Sequence, residues 1–103
     1  MKPIDIRNET WASVLTRVTG DRQRVWRALQ HAGAVSTRQL AATMEMDILN
    51  VRPRVTELVE LGLVRLVERG QDGGIYQTVP EDEARQAFFA RQAEARNPQL
   101  SLF

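Results

Sequence analysis

Apolar residues recur at helical spacing along most of this chain. Trp11, Val14, Leu15 and Val18 repeat at i, i+3, i+4 and i+7 behind Asn8, a candidate cap. Thr19-Gly20-Asp21 breaks that run, and Asp21 restarts a helix through Ala32 with Val25, Trp26 and Leu29 inward and Gly33 as its end. Ser36 and Gln39 form a Ser-x-x-Gln capping box ahead of Leu40, Ala41 and Met44. Glu45-Met46 makes a turn, and Asp47 caps another helix whose Val51, Val55, Leu58 and Gly62 share one stripe, with Ile48 and Val59 at its edge. Gly62 supplies a left-handed stop, with Leu63 folding back on Leu58. Pro53 removes a backbone donor inside this helix. The helix is therefore expected to begin near Asp47 with an irregular first turn and to run regularly after Pro53.

The period changes after Gly62. Leu63 to Arg69 and Ile75 to Val79 read as two strands around a mobile Gly70-Gln71-Asp72-Gly73-Gly74 tip. Ala34-Val35 is short and apolar enough for a small additional strand. Beyond Pro80, Glu81, Asp82 and Glu83 open a helix to about Arg96, and the acid-first, arginine-last order suits the helix dipole. Ala84, Ala87, Phe88, Arg91 and Ala95 make its thin stripe, which packs either on the first helix or on a second copy. Asn97-Pro98 stops it. The expected organisation is residues 1–80 as one domain with an N-terminal helical extension, 81–96 as a C-terminal helix and 97–103 as an extended tail.

Leu40-Ala41, Met46-Asp47, Val51 and the run from Val55 to Val64 resemble the winged helix-turn-helix DNA-binding domains of bacterial and phage regulators. The most specific part is the helix that ends in Leu61-Gly62-Leu63-Val64 and passes into a strand. The resemblance implies a mainly α fold with a small β-hairpin wing (α+β) and binding to double-stranded DNA. Two residues depart from the pattern. Glu45 stands where many such turns carry glycine, so a left-handed backbone there is strained, and Pro53 lies inside the recognition helix.

Composition narrows the function classes. A chain of 103 residues is one domain by size, and it has no cysteine, which excludes disulfides and thiolate metal sites. With no apolar run of membrane-spanning length and no signal-peptide pattern, a cytoplasmic protein without a membrane partner is expected. Net charge is only +1. Its distribution says more: Arg17, Arg22, Arg24, Arg27, Arg38, Arg52 and Arg54 face only Asp21, Glu45 and Asp47 between Leu15 and Thr56. Arginine's planar fork suits phosphates and guanine edges. No nucleophile–base pair, metal-ligand spacing or phosphate-binding glycine loop is present, and the lone His31 near a helix end reads as a solvated or hydrogen-bonded residue. No catalytic residue, metal or cofactor is expected. Trp11 and Trp26 read as core anchors before stacking platforms for bases.

With Val51, Val55 and Leu58 inward, the outward arc holds Leu49, Asn50, Arg52, Pro53 and Thr56, with Arg54 on the other flank. Asn50 suits adenine, and Arg52 or Arg54 suits guanine or phosphate. Glu57 and Glu60 also point outward and repel phosphates, so the leading half of the helix is expected to enter the groove. Thr37 and Arg38 are natural phosphate contacts. Arg65 and Arg69, on the first wing strand, reach the backbone or minor groove, an ordinary solvated hairpin being the alternative.

The tail adds a second resemblance. Gln99-Leu100-Ser101-Leu102-Phe103 resembles the sliding-clamp-binding motif of bacterial replication and repair proteins. By that resemblance Leu102 and Phe103 enter the clamp's deeper apolar pocket, Gln99 hydrogen-bonds beside it and Leu100 helps fill the groove. Three apolar side chains contribute roughly 4.5–9 kcal/mol gross, and ordering a free tail leaves micromolar or weaker binding. Two classes follow: a non-catalytic DNA-binding adaptor tethered to the bacterial sliding clamp, or a homodimeric transcription regulator with a packed tail. A winged helix used purely for protein contacts is a third.

Overall fold

Capping side chains mark the starts of three of the helices. The computed structural model describes residues 10–71 and 73–96. Asn8, the expected first cap, falls outside them, and Thr10 takes that part. Its hydroxyl accepts from the Ser13 N–H and the Ser13 hydroxyl accepts from the Thr10 N–H, each at 3.1 Å, which opens α1 (Trp11–Leu15). Helix α2 (Gly20–Ala32) ends at Gly33 as its sequence predicts. The small strand β1 is Val35–Ser36, one residue later than expected, because Ser36 both pairs with Ile75 and caps the next helix. Its hydroxyl accepts from the Gln39 N–H at 3.1 Å, the reciprocal bond is also 3.1 Å, and α3 (Thr37–Met44) follows.

Both ends of the helix-turn-helix unit close with the same pair of reverse hydrogen bonds. After α3, Met46 N–H donates to the Ala41 carbonyl at 3.0 Å and Glu45 N–H to Ala42 at 3.2 Å. After α4 (Ile48–Glu60), Leu63 N–H donates to Leu58 and Gly62 N–H to Val59, both at 3.0 Å. This pattern needs a left-handed residue, and only one of the two sites has glycine. Gly62 takes φ 83° without strain, whereas Glu45 takes φ 54° and is the only non-glycine residue at positive φ among the described residues. The anticipated strain is therefore present.

Pro53 does not disturb α4 as expected. The helix is continuous from Ile48, opened by the Asp47 carboxylate, which accepts from the Leu49 N–H at 2.9 Å. Proline deprives only the carbonyl four residues back, that of Leu49, of its helical donor. Leu49 is 74% exposed, so water can take the missing donor's place.

Strands β2 (Val64–Gly70) and β3 (Gly73–Thr78) form an antiparallel hairpin, and β1 lies on the far side of β3, giving the order β1-β3-β2. The hairpin's tip is shorter than expected. Gly70 pairs with Gly73 and Arg69 with Gly74, so these glycines belong to the ladder. Gly74 is there for space: a Cβ on it would meet Leu66 Cδ1 at 2.7 Å and Tyr76 Cε2 at 2.9 Å. A register shift between Leu66 and Glu68 makes Val67 a bulge, which breaks the exposed edge of β2.

The last helix, α5 (Glu81–Arg96), packs within the chain, on α1. Its inward residues are Ala84, Phe88 and Gln92, while Ala87 and Arg91 of the expected stripe are exposed. The contact follows a strict i, i+4 row because Phe88 meets the edge of Trp11, with ring centroids 5.8 Å apart. Arg91 instead lies over the end of α4, its Nη2 only 3.1 Å from where a Gly62 Cβ would stand. Trp11 closes this side of the core, and Trp26 is partly buried against it.

The contrast between the two caps yields a prediction. Glu45→Gly should raise stability by about 0.5–1 kcal/mol, the left-handed penalty less the added freedom of the unfolded chain. Gly62→Ala should lower it by a similar amount or more. Thermal unfolding of both variants beside the parent checks the pair.

Candidate nucleic-acid interface

The rotation of α4 is fixed by three side chains. Val51, Val55 and Leu58 are at most 1% exposed, and they turn one face of the helix into the core. At 100° per residue this leaves Leu49, Pro53 and Thr56 opposite the core, with Arg52 on the flank toward the wing. Asn50, Arg54 and Glu57 fall on the other flank, against α2.

That second flank is occupied by intramolecular pairs. Asn50 Nδ2 donates to Asp21 Oδ2 at 3.0 Å. Glu57 accepts from Arg54 Nε, one turn away, and its other oxygen accepts from Arg22 Nη2 of α2 at 2.9 Å. Arg22 also donates to the Arg17 carbonyl at 2.6 Å, which braces the same corner. Of the residues expected to read bases, Asn50 and Arg54 are therefore already engaged within the protein. Glu57 does not project freely into solvent as expected: it is half-buried and bridges two arginines. Sequence reasoning missed this network. The Arg54–Glu57 half was visible as an i, i+3 pair, but nothing local announced Arg22 or Asp21.

The flank toward the wing is open. A cleft of about 230 Å³ is lined by Thr37, Arg52, Val55, Thr56, Gly73, Gly74 and Tyr76. It brings together three residues singled out from the sequence, Thr37, Arg52 and Thr56, and adds the wing residues Gly73, Gly74 and Tyr76, which were not anticipated. Arg52 is its one charged lining residue among those described. Arg38, at the start of α3, is exposed, as are Arg52 and Arg69, and none of these three forms an ion pair among the described residues. Arg69 sits near the wing tip opposite Gly74. Arg65 is placed otherwise, for its Nη1 lies 3.2 Å from Glu83 of α5 in an exposed pair, the kind of contact that contributes about 0–1 kcal/mol. Gln99, Leu100, Leu102 and Phe103 lie outside the described residues. Among the described residues there is no cluster of His, Asp and Glu able to hold a metal ion, and no helix long and apolar enough to cross a membrane.

This arrangement, with a three-stranded sheet, a capped helix-turn-helix and a hairpin beside the second helix, agrees with the comparison to known proteins. The sequence profile of the HVO_A0114 family matches residues 17–82, well over half of the chain. The chain belongs to the HVO_A0114 family. No protein of curated function matches its sequence. Among solved structures, this HVO_A0114-family chain is similar to a possible transcriptional regulator from Methanosarcina mazei Go1, at 15% identity and TM-score 0.61, covering 89% of this chain and 87% of that one. The homodimeric winged helix-turn-helix DNA-binding domain of Mb0332 from Mycobacterium bovis, a possible ArsR-family regulator, matches at 21% identity and TM-score 0.58, over 93% and 91% of the two chains. A MarR-family transcriptional regulator from Rhodococcus sp. RHA1 matches at 28% identity and TM-score 0.55, covering 87% of this chain and 67% of that one. The fold is thus a winged helix-turn-helix, as the sequence resemblance implies.

The paired flank has a pH signature. The Arg22 hydrogen bond, seconded by Arg54, holds the Glu57 carboxyl below its ordinary value of 4.5 against the opposing effect of burial. The Asn50 amide, seconded by Arg24, lowers Asp21 in the same way. Groups with depressed folded-state pKa values stabilise the protein above their ordinary pKa, and that contribution is lost as pH falls through the folded value. Stability should therefore decline as pH drops below about 4.5, and Glu57→Gln should flatten that decline while lowering stability at neutral pH. Denaturant unfolding at a series of pH values checks both.

Proposed function

We propose that this chain is a double-stranded-DNA-binding regulator of transcription that lays the leading half of α4 in the major groove, with the wing beside the flanking backbone. The observation that carries this reading is the cleft between α4 and the wing, whose charged lining residue, Arg52, has no ion pair among the described residues. Exposed Arg38 and Arg69 stand on the neighbouring elements. Arg52 is the candidate for a guanine edge or a phosphate, Thr56 for a base-edge contact, and Thr37, Arg38 and Arg69 for the phosphates. Asn50 holds α4 on α2 through Asp21, and Arg54 is paired with Glu57 within α4, so each reaches DNA only by giving up that carboxylate. Arg65 makes the same kind of exchange with Glu83. The described residues that line the cleft include no acid, which agrees with an anionic partner, and the solved relatives described as transcriptional regulators support the regulatory role. A homodimer, the state given for Mb0332, would present two such helices to a site with two-fold symmetry.

A second reading keeps the DNA contact and adds a tether. The Gln99-Leu100-Ser101-Leu102-Phe103 peptide supports it through its likeness to sliding-clamp-binding motifs, and coupling weak tail binding to DNA binding would raise the effective concentration of each site for the other.

Arg52→Ala should weaken duplex binding about tenfold at low salt, reduce the slope of log affinity against log salt by about one, and leave thermal stability unchanged. Fluorescence anisotropy across a salt series measures this, and an affinity equal to the parent's would remove the cleft from the interface. For the tether, a bacterial sliding clamp should retain the full chain and release a chain truncated after Pro98. Equal behaviour of the two chains in that pull-down would leave the regulator reading alone.

A further inference from the structure

The side of α4 that faces away from the core is apolar in its leading half and ends in the exposed Glu60. Leu49 and Pro53 stand one turn apart, and both are exposed, Leu49 at 74%. Residues four apart on a helix are surface neighbours, so the two side chains form one continuous patch. Arg52 and Thr56 extend the same face at helical spacing. The amide and guanidinium that would have given this helix a hydrogen-bonding vocabulary, those of Asn50 and Arg54, are turned aside and held by Asp21 and Glu57.

An exposed leucine at the leading turn contributes little to this core, and a cationic side chain stands beside it. Arg52 lies three residues on, and Arg38 stands on the preceding helix. Both are exposed and neither is ion-paired within the described residues. An apolar patch beside an arginine that has no ion pair among the described residues is complementary to a polyanion that itself presents apolar groups. In the major groove of DNA the one such group is the 5-methyl of thymine. Uridine in RNA lacks that methyl, and the deep, narrow major groove of an RNA duplex excludes the helix.

We infer that Leu49, backed by Pro53, is a specificity-determining residue that recognises thymine by its 5-methyl group, with Arg52 supplying the adjacent polar contact. This rests on the placement of α4 in the major groove proposed above. The preferred site contains at least one thymine under the leading turn, and discrimination there is by apolar contact.

The experiment uses the full chain. A preferred duplex is selected from a randomised pool at low salt, and each thymine in it is then replaced singly by uracil, which removes the methyl and leaves base pairing intact. The parent should lose roughly fourfold in affinity at each thymine whose methyl is covered. Leu49→Ala should bind the thymine duplex more weakly and bind its uracil counterpart equally well. Leu49→Met should restore the preference, and Arg52→Ala should weaken binding to both duplexes alike. Because Leu49 is exposed, these variants should keep the parent's thermal stability. Equal affinity of the parent for thymine and uracil duplexes at every position would overturn the inference while leaving the DNA-binding reading standing, and so would undiminished discrimination by Leu49→Ala. A parent that binds no duplex at all overturns both.

Discussion

The structure depends on the burial of one face of one helix. Val51, Val55 and Leu58 are almost wholly excluded from solvent, and losing any of them would cost about 2–5 kcal/mol for leucine and somewhat less for valine. Once that face is fixed, the rotation of α4 is no longer free. Leu49, Arg52, Pro53 and Thr56 must look outward, and Asn50, Arg54 and Glu57 must lie along α2. The closure at Gly62 extends the constraint, because Leu63 and Val64 are buried immediately after it. The wing is thereby started from the same core and delivered to the open flank of the helix.

The polar residues of α4 divide between two tasks along the same line. On the α2 flank, Asp21 engages Asn50 and Glu57 engages Arg22 and Arg54, so the helix is held at both its middle and its leading turn. Partly exposed pairs of this kind are individually weak, but they share partners, and Arg22 ties Glu57 to the end of α1 through the Arg17 carbonyl. On the wing flank Arg38, Arg52 and Arg69 form no such pair among the described residues. A local arginine excess in the sequence is therefore a poor guide to the proposed binding surface. What matters is which arginines the packing leaves unspent.

That division explains how far the sequence could be read. The Ser36–Gln39 box, the Val51-Val55-Leu58 stripe and the Gly62 stop are local signals, governed by residues three to five apart, and each stands in the structure where its spacing places it. Glu45 also showed its strain in advance, since its position demanded a left-handed residue. The Asn50–Asp21 bond spans 29 positions, and no periodicity encodes it. The glycines of the wing misled for a related reason: Gly74 suggests a loose tip, but it is small because Leu66 and Tyr76 crowd it, a fact about packing. In α5 the expected stripe ran through Ala87 and Arg91, but the contact of Phe88 with the Trp11 ring covers Gln92 and leaves Arg91 exposed. The Gln99–Phe103 peptide falls outside the described residues, so its likeness to a clamp motif stands on sequence alone.

The central claim is that nucleic acid meets this protein on the wing side of α4. Backbone amide chemical shifts of the isotopically labelled chain, followed during titration with duplex DNA, test it most directly. The account predicts that the largest changes fall on Thr37, Arg38, Leu49, Arg52, Thr56, Gly73 and Gly74, with little change along α5. A titration in which α5 and α1 respond while the cleft stays silent would contradict it.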